Sequence, residues 1–157
     1  MVLAITIAPE TPLQDEVRIL VAALNDTLIP LSPLEFQYKL TVEEMADPSV
    51  TVLVARDGSG KAVGIGALKD HGDGTGEVKR MYTPPVLRGQ RVGARILARI
   101  EALARDKGLA VLMLETGEAP GFEEAYRLYE RGGYTRRGAF FDYPDSGWSR
   151  FYEKALG

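Results

Sequence analysis

The 157 residues carry 19 lysines and arginines against 22 aspartates and glutamates, a formal charge of -3, with one histidine and no cysteine. Without cysteine there is no disulfide framework, no thiolate metal site and no cysteine nucleophile. The small, mixed charge excludes a general nucleic-acid or anionic-membrane surface, and the length fits one domain over 1–157.

The N-terminal VLAITIAPE has no basic leader, and no run of 18 apolar residues occurs anywhere, so a cytoplasmic protein with no membrane partner is expected. Residues 2 to 8 alternate like a strand. After Pro12, Val17, Leu20, Val21 and Leu24 recur at helical spacing, which predicts a first helix ending near Pro30. SPLEFQYKLTVEEMAD, between Pro33 and Pro48, reads as a second, shorter helical region. TVLVAR and AVGIGALK, joined by DGSGK, form a hairpin signal. His71 follows in the glycine-rich HGDGTG. A zinc site or a Ser-His-Asp triad would rest on it alone, and it reads as a solvated loop histidine.

The strand EVKRMYT then stops at Pro84 and Pro85, and a basic turn opens a helix with Val92, Ile96, Ile100 and Leu103 on one face and Gly108 past its end. Gly89 and Gly93 let backbone approach a ligand. The first N–H groups of the helix lack internal partners, and Arg88, Arg91 and Arg95 add positive charge there. This is an anion seat, and a nucleotide-like pyrophosphate is its natural guest. LAVLMLET predicts a central strand buried on both faces. Pro120 opens a helix through GFEEAYRLYER to Gly132 and Gly133, and YTRRGAFFDY and GWSRFYEKAL read as two final strands joined around 144–147. The order β-α-α-β-β-β-α-β-α-β-β predicts an α/β fold with a mixed sheet.

In this order the chain resembles the GNAT superfamily of acetyl-CoA-dependent N-acyltransferases. Its Q/R-x-x-G-x-G/A turn stands here as Arg88-Gly89-Gln90-Arg91-Val92-Gly93, and its A-x-x-L-Y-E-x-x-G-Y/F pattern as Ala125, Leu128, Tyr129, Glu130, Gly133 and Tyr134. The LETG at 114–117 and the ending SRFYEKAL look like the small-molecule type. The resemblance implies acetyl-CoA as co-substrate, no metal, and pyrophosphate wrapped by the backbone from Gly89 through Ala94, with Arg88, Gln90, Arg91 and Val92 in the same turn. Arg91 stands where the family has glycine. Its side chain turns away or reaches the 3′-phosphate of CoA, and a positive φ there would be strained.

The resemblance also lays the pantetheine arm along Met81, Tyr82 and Thr83, with an oxyanion donor from the backbone near Met81 or Tyr82. It makes Tyr129 the acid for the departing sulfur. Glu77 is its first candidate for the base, equally readable as a solvent-facing strand carboxylate, and Glu115, near the end of the fifth strand, is the second. Phe122 replaces an asparagine that often contacts the cofactor. For the acceptor, Ser32, Glu35, Phe36, Tyr38, Phe140, Phe141, Tyr143 and Trp148 offer aromatic walls and a carboxylate suited to a small-molecule amine. Phe36, Tyr143 and Trp148 are the chosen candidates, although core and rim packing explains any of them. Lys79 and Arg80 suit a substrate carboxylate, or a solvated strand face. A non-catalytic acyl-CoA-binding module, an acetyltransferase acting on a protein N-terminus or lysine, and a homodimer stay open. Dinucleotide binding is disfavoured because no G-x-G-x-x-G follows the first strand.

Overall fold

The computed structural model describes residues 4–157. Seven strands form one sheet in the order β1-β2-β3-β4-β5-β7-β6, with β1 at Ile5–Pro9, β2 at Val50–Asp57, β3 at Ala62–Asp70, β4 at Thr75–Tyr82, β5 at Val111–Gly117, β6 at Thr135–Arg137 and β7 at Ser149–Ala155. The helices are α1 (Asp15–Leu28), α2 (Val42–Met45), α3 (Val92–Asp106) and α4 (Glu123–Arg131). The first strand was expected over residues 2 to 8, and residues 2 and 3 lie outside the described range.

Each sheet face has its own apolar cluster. Val17, Leu20 and Val21 of α1 and Met45 of α2 pack on Val52, Val54, Ile65 and Ala67. Ile96, Leu97 and Ile100 of α3 cover Leu53, Val63, Leu68, Val78, Leu112 and Leu114 on the other face. The close approach of α3 depends on β3 presenting no side chain at Gly66, where an added Cβ would lie 2.7 Å from Ile96 Cγ2 and 2.6 Å from Met81 Sδ. No helix among the described residues is long and apolar enough to cross a membrane.

The second helical region is not a helix over most of its length. A single 3₁₀ turn at Leu34–Phe36 and the four-residue α2 are all that form, because Phe36, Tyr38 and Leu40 recur at period two, the spacing of extended chain. Thr41 and Glu44 make a reciprocal capping box that starts α2 locally. The strand expected over YTRRGAFFDY ends at Arg137. Phe140 leaves the ladder to cluster edge-on with Phe141, Tyr143 and Phe151, and Phe141 takes φ 49° as the chain turns. The central strand β5 is buried on one face only. Leu112 and Leu114 are sequestered while Val111, Met113 and Glu115 are half-buried.

Two irregularities position everything that follows. The β3–β4 register jumps from Ala67 opposite Lys79 to Ile65 opposite Tyr82, so Arg80 and Met81 together face Gly66 as a bulge, with Arg80 at φ 55°. Parallel pairing between β4 and β5 holds only from Thr75 to Glu77 against Val111 to Met113. Beyond it the strands part, β5 staying with β7 along its whole length. The remainder of β4 therefore presents an unpaired edge inside the sheet.

Candidate active site

The parting of β4 and β5 opens a cleft of about 1010 Å³. One end is the start of α3. Arg95 N–H is the first of the helix to reach a carbonyl in it, that of Arg91 at 3.0 Å, so the N–H groups of Val92, Gly93 and Ala94 have no helical acceptor. All three residues line the cleft, with Arg88, Gly89 and Arg91. A Cβ added at Gly93 would make ordinary contacts, with Leu128 at 3.6 Å and Thr83 Oγ1 at 3.8 Å, so the turn packs against α4 without crowding. Arg127 and Arg131, one turn apart on α4, line the same cleft. Arg88 Nε pairs with Glu124 Oε2 at 2.9 Å, joining the turn to α4.

The middle is walled by Met81, Tyr82 and Thr83 on one side and by Glu115, Thr116, Gly117, Phe122 and Tyr129 on the other. The Phe122 ring packs against Gly117, where an added Cβ would come within 2.2 Å of it. Tyr129 is buried, braced by the rings of Tyr134 and Tyr152 at 5.9 and 6.1 Å. Those rings are anchored in turn, since Tyr134 donates to Glu101 at 2.9 Å and Tyr152 to Glu130 at 2.6 Å. Among the described residues nothing hydrogen-bonds the Tyr129 hydroxyl. Burial, followed by the charge of Glu115, raises its pKa.

Ser149 Oγ donates to Glu115 Oε2 at 2.7 Å. Burial nevertheless pushes the Glu115 carboxyl up to about 7, the Ser149 bond and Lys79 opposing and Glu77 adding to it. A carboxylate poised near neutrality on a cleft wall is suited to proton transfer. The other end is closed by Ser32, Phe36, Gln37, Tyr38 and Lys39 from the α1–α2 connection, facing Lys79 and Arg80. Gln37 Nε2 pins that connection by donating to the carbonyls of Ser32 at 2.8 Å and Leu28 at 3.0 Å.

A family model described as the acetyltransferase (GNAT) domain matches residues 48–136, which include the bulge, the parted strands and the start of α3. The chain belongs to the GNAT acetyltransferase family. It is 44% identical over 153 residues to a protein of Azospirillum brasilense named IAA acetyltransferase, covering 97% of this chain and 98% of that one. A solved structure from Klebsiella pneumoniae, provisionally named an acyl-CoA N-acyltransferase, is 37% identical with a TM-score of 0.80, covering 98% of both chains. The structure of an aminoglycoside 6′-N-acetyltransferase complexed with coenzyme A is 18% identical, with a TM-score of 0.71 and coverage of 96% of this chain and 97% of that one, and shares the fold.

Within this GNAT acetyltransferase the candidate residues fall in three places. Met81, Tyr82, Thr83, Arg88, Gly89, Arg91, Val92, Gly93, Ala94, Glu115, Tyr129 and Phe36 line the one cleft, whereas Gln90 is not among the lining residues. Glu77 is not there either. It is 2% exposed and lies beneath the wall, accepting from Tyr143 Oη at 2.5 Å and Lys79 Nζ at 3.2 Å, with His71 Nε2 at 3.0 Å. His71 is therefore no solvated loop residue. Phe141 stacks on it at 4.1 Å because the segment after β6 folds over the loop instead of continuing the sheet. Tyr143 belongs to this buried group, edge-on to Tyr38 at 5.0 Å. Trp148, one residue before β7 and level with the end of β5, is exposed and is not among the residues lining the cleft. Arg127, Arg131 and Lys39 escaped the sequence reading, although the four-residue spacing of the two arginines was a usable signal.

Arg91 takes φ 62° and ψ 23°, the left-handed conformation that glycine adopts freely. Replacing it by glycine is expected to stabilise the protein by about 1 kcal/mol while weakening CoA several-fold, more than dephospho-CoA. Thermal melting and calorimetric titration of both ligands test this. Equal losses for the two ligands would remove the 3′-phosphate contact.

Proposed function

We propose that the enzyme transfers the acetyl group of acetyl-CoA to a primary amine of a small molecule by direct attack in a ternary complex. The observation that carries this reading is that Glu115 and Tyr129 stand in the same cleft as the free N–H groups of 92–94 and the unpaired edge of β4. That donor set fits a pyrophosphate, and the strand edge fits an amide-containing arm. Glu115 accepts a proton from the attacking amine as its nitrogen bonds to the thioester carbonyl carbon. Backbone N–H groups near Met81 and Tyr82 hold the charge that develops on the carbonyl oxygen. Tyr129 gives its phenolic proton to the sulfur as the carbon–sulfur bond breaks. Glu77 is a positioning residue, fixing Lys79 and Tyr143 behind the wall. The names of the Azospirillum relative and of the aminoglycoside enzyme support a small-molecule acceptor.

The deciding experiment measures thiol release from acetyl-CoA with a panel of small primary amines and lysine-containing peptides, alongside calorimetric CoA binding. Release that depends on small amines supports the proposal. CoA binding without turnover would make the chain a binding module, and turnover on peptides alone would move the acceptor to protein.

A further inference from the structure

Arg80 is 8% exposed and lines the end of the cleft beneath the α1–α2 connection. One Nη donates to Asn25 Oδ1 on α1. Its Nε is the sole buried side-chain nitrogen or oxygen without a hydrogen-bond partner among the described residues. No carboxylate pairs with it. Burial is the one influence on its pKa, lowering it to about 10, which leaves the guanidinium charged at neutral pH. The neighbouring groups do not compensate. Lys79 is engaged by Glu77 and Tyr143, Lys39 bonds only the neutral Gln37, and Glu115 is held by Ser149. A buried guanidinium with no anion is costly, and here it rides on a strained, left-handed residue at a bulge. Such an arrangement persists where a ligand supplies the missing charge. A planar fork of N–H donors suits a carboxylate.

We propose that Arg80 seats a carboxylate of the acceptor, so that the enzyme's substrates are small amines that carry a carboxylate, such as amino acids or aminoaryl carboxylates. The inference rests on the acetyl-transfer reading for the amine and on Arg80 alone for the carboxylate. Phe36, Tyr38 and Leu28 then wall the body of the molecule between them. Arg88 and Arg91 already supply cations at the start of α3, with Arg127 and Arg131 lining the same cleft, so Arg80 is not needed for phosphate.

The test compares pairs in which a neutral amide replaces the carboxylate, 4-aminobenzoate against 4-aminobenzamide and phenylalanine against phenylalaninamide, with rates referred to the unprotonated amine. Wild type is expected to favour the carboxylate by about 10- to 100-fold in kcat/KM, the worth of a charge-assisted hydrogen bond. Arg80→Gln is expected to erase the preference, while Arg80→Lys keeps part of it. Benzoate against benzamide, titrated into the CoA-bound enzyme by calorimetry, reads the same seat without turnover. Carboxylate binding lost in Arg80→Gln, with no amine acetylated by wild type, would sink the catalytic reading and leave this one standing. Acetylation of both members at equal rates would do the reverse. Arg80→Gln should melt no lower than wild type, since it removes an uncompensated buried charge. A lower melting temperature with equal loss on both substrates marks Arg80 as structural and overturns the proposal.

Discussion

Tyr129→Phe is expected to lower kcat by about 10²- to 10⁴-fold, the worth of a positioned proton donor, with CoA affinity nearly unchanged. The hydroxyl has no partner among the described residues, so its removal breaks no structural bond, and phenylalanine keeps the ring contacts with Tyr134 and Tyr152. Burial and the nearby Glu115 raise the phenol's pKa, so it is protonated and able to donate throughout the physiological range. The core-packing alternative predicts the opposite pattern, a small change in stability with unaltered turnover. Steady-state acetylation and calorimetric CoA binding on the same preparation separate the two. An unchanged kcat removes Tyr129 from the chemistry.

Glu115→Gln is expected to lower kcat/KM by a comparable 10²- to 10⁴-fold and to abolish a limb of the pH profile. The wild-type carboxyl, pushed up to about 7, is a base only above that value. Activity should therefore rise through neutrality to a plateau, whereas the glutamine variant stays low and flat. The sign of the stability effect is the reverse. A carboxyl whose pKa is raised on folding stabilises the native state at low pH, and that contribution is lost as pH rises from about 4.5 through about 7. Glutamine keeps an acceptor for Ser149 and carries no charge. The variant should then be more stable than wild type above neutrality, on the order of 2 kcal/mol, and chemical denaturation across that pH range checks it. If the limb near 7 survives in the variant, the base lies elsewhere, with Glu77 acting through Lys79 or Tyr143 as the next candidate.

What was legible in the chain followed range. The α3 stripe, the β2–β3 hairpin and the turn at 88–93 are dictated by residues within a few positions of one another. The paired motifs located Tyr129 and the cleft wall from the same local text. Alternation puts Glu77 and Lys79 on one face of their strand, and the pairing of Glu77 with Met113 brings Glu115 onto that face. It does not say what covers that face. Glu77 is buried and His71 half-buried because Phe140, Phe141 and Tyr143 leave the ladder, a choice made by contacts with Phe151 and Tyr38 far along the chain. The bulge at Arg80 was equally hidden. Two consecutive basic residues on a strand read as one in and one out, and only the register against β3 makes Arg80 an inward-facing cation.

The early end of the β4–β5 pairing would also, on the proposed binding mode, link the protein's stability to its co-substrate. A sheet interrupted at its centre forgoes backbone hydrogen bonds that an uninterrupted one would hold, and a pantetheine arm laid along Met81 to Thr83, as proposed, would restore part of them. Binding to the folded form alone then adds about 1.4 kcal/mol for every tenfold excess of ligand over its dissociation constant. Against a total of about 5–15 kcal/mol for a typical domain, that is a substantial share. On that reading the folded enzyme would be stabilised by CoA whether acetylated or free, since both carry the arm and the pyrophosphate.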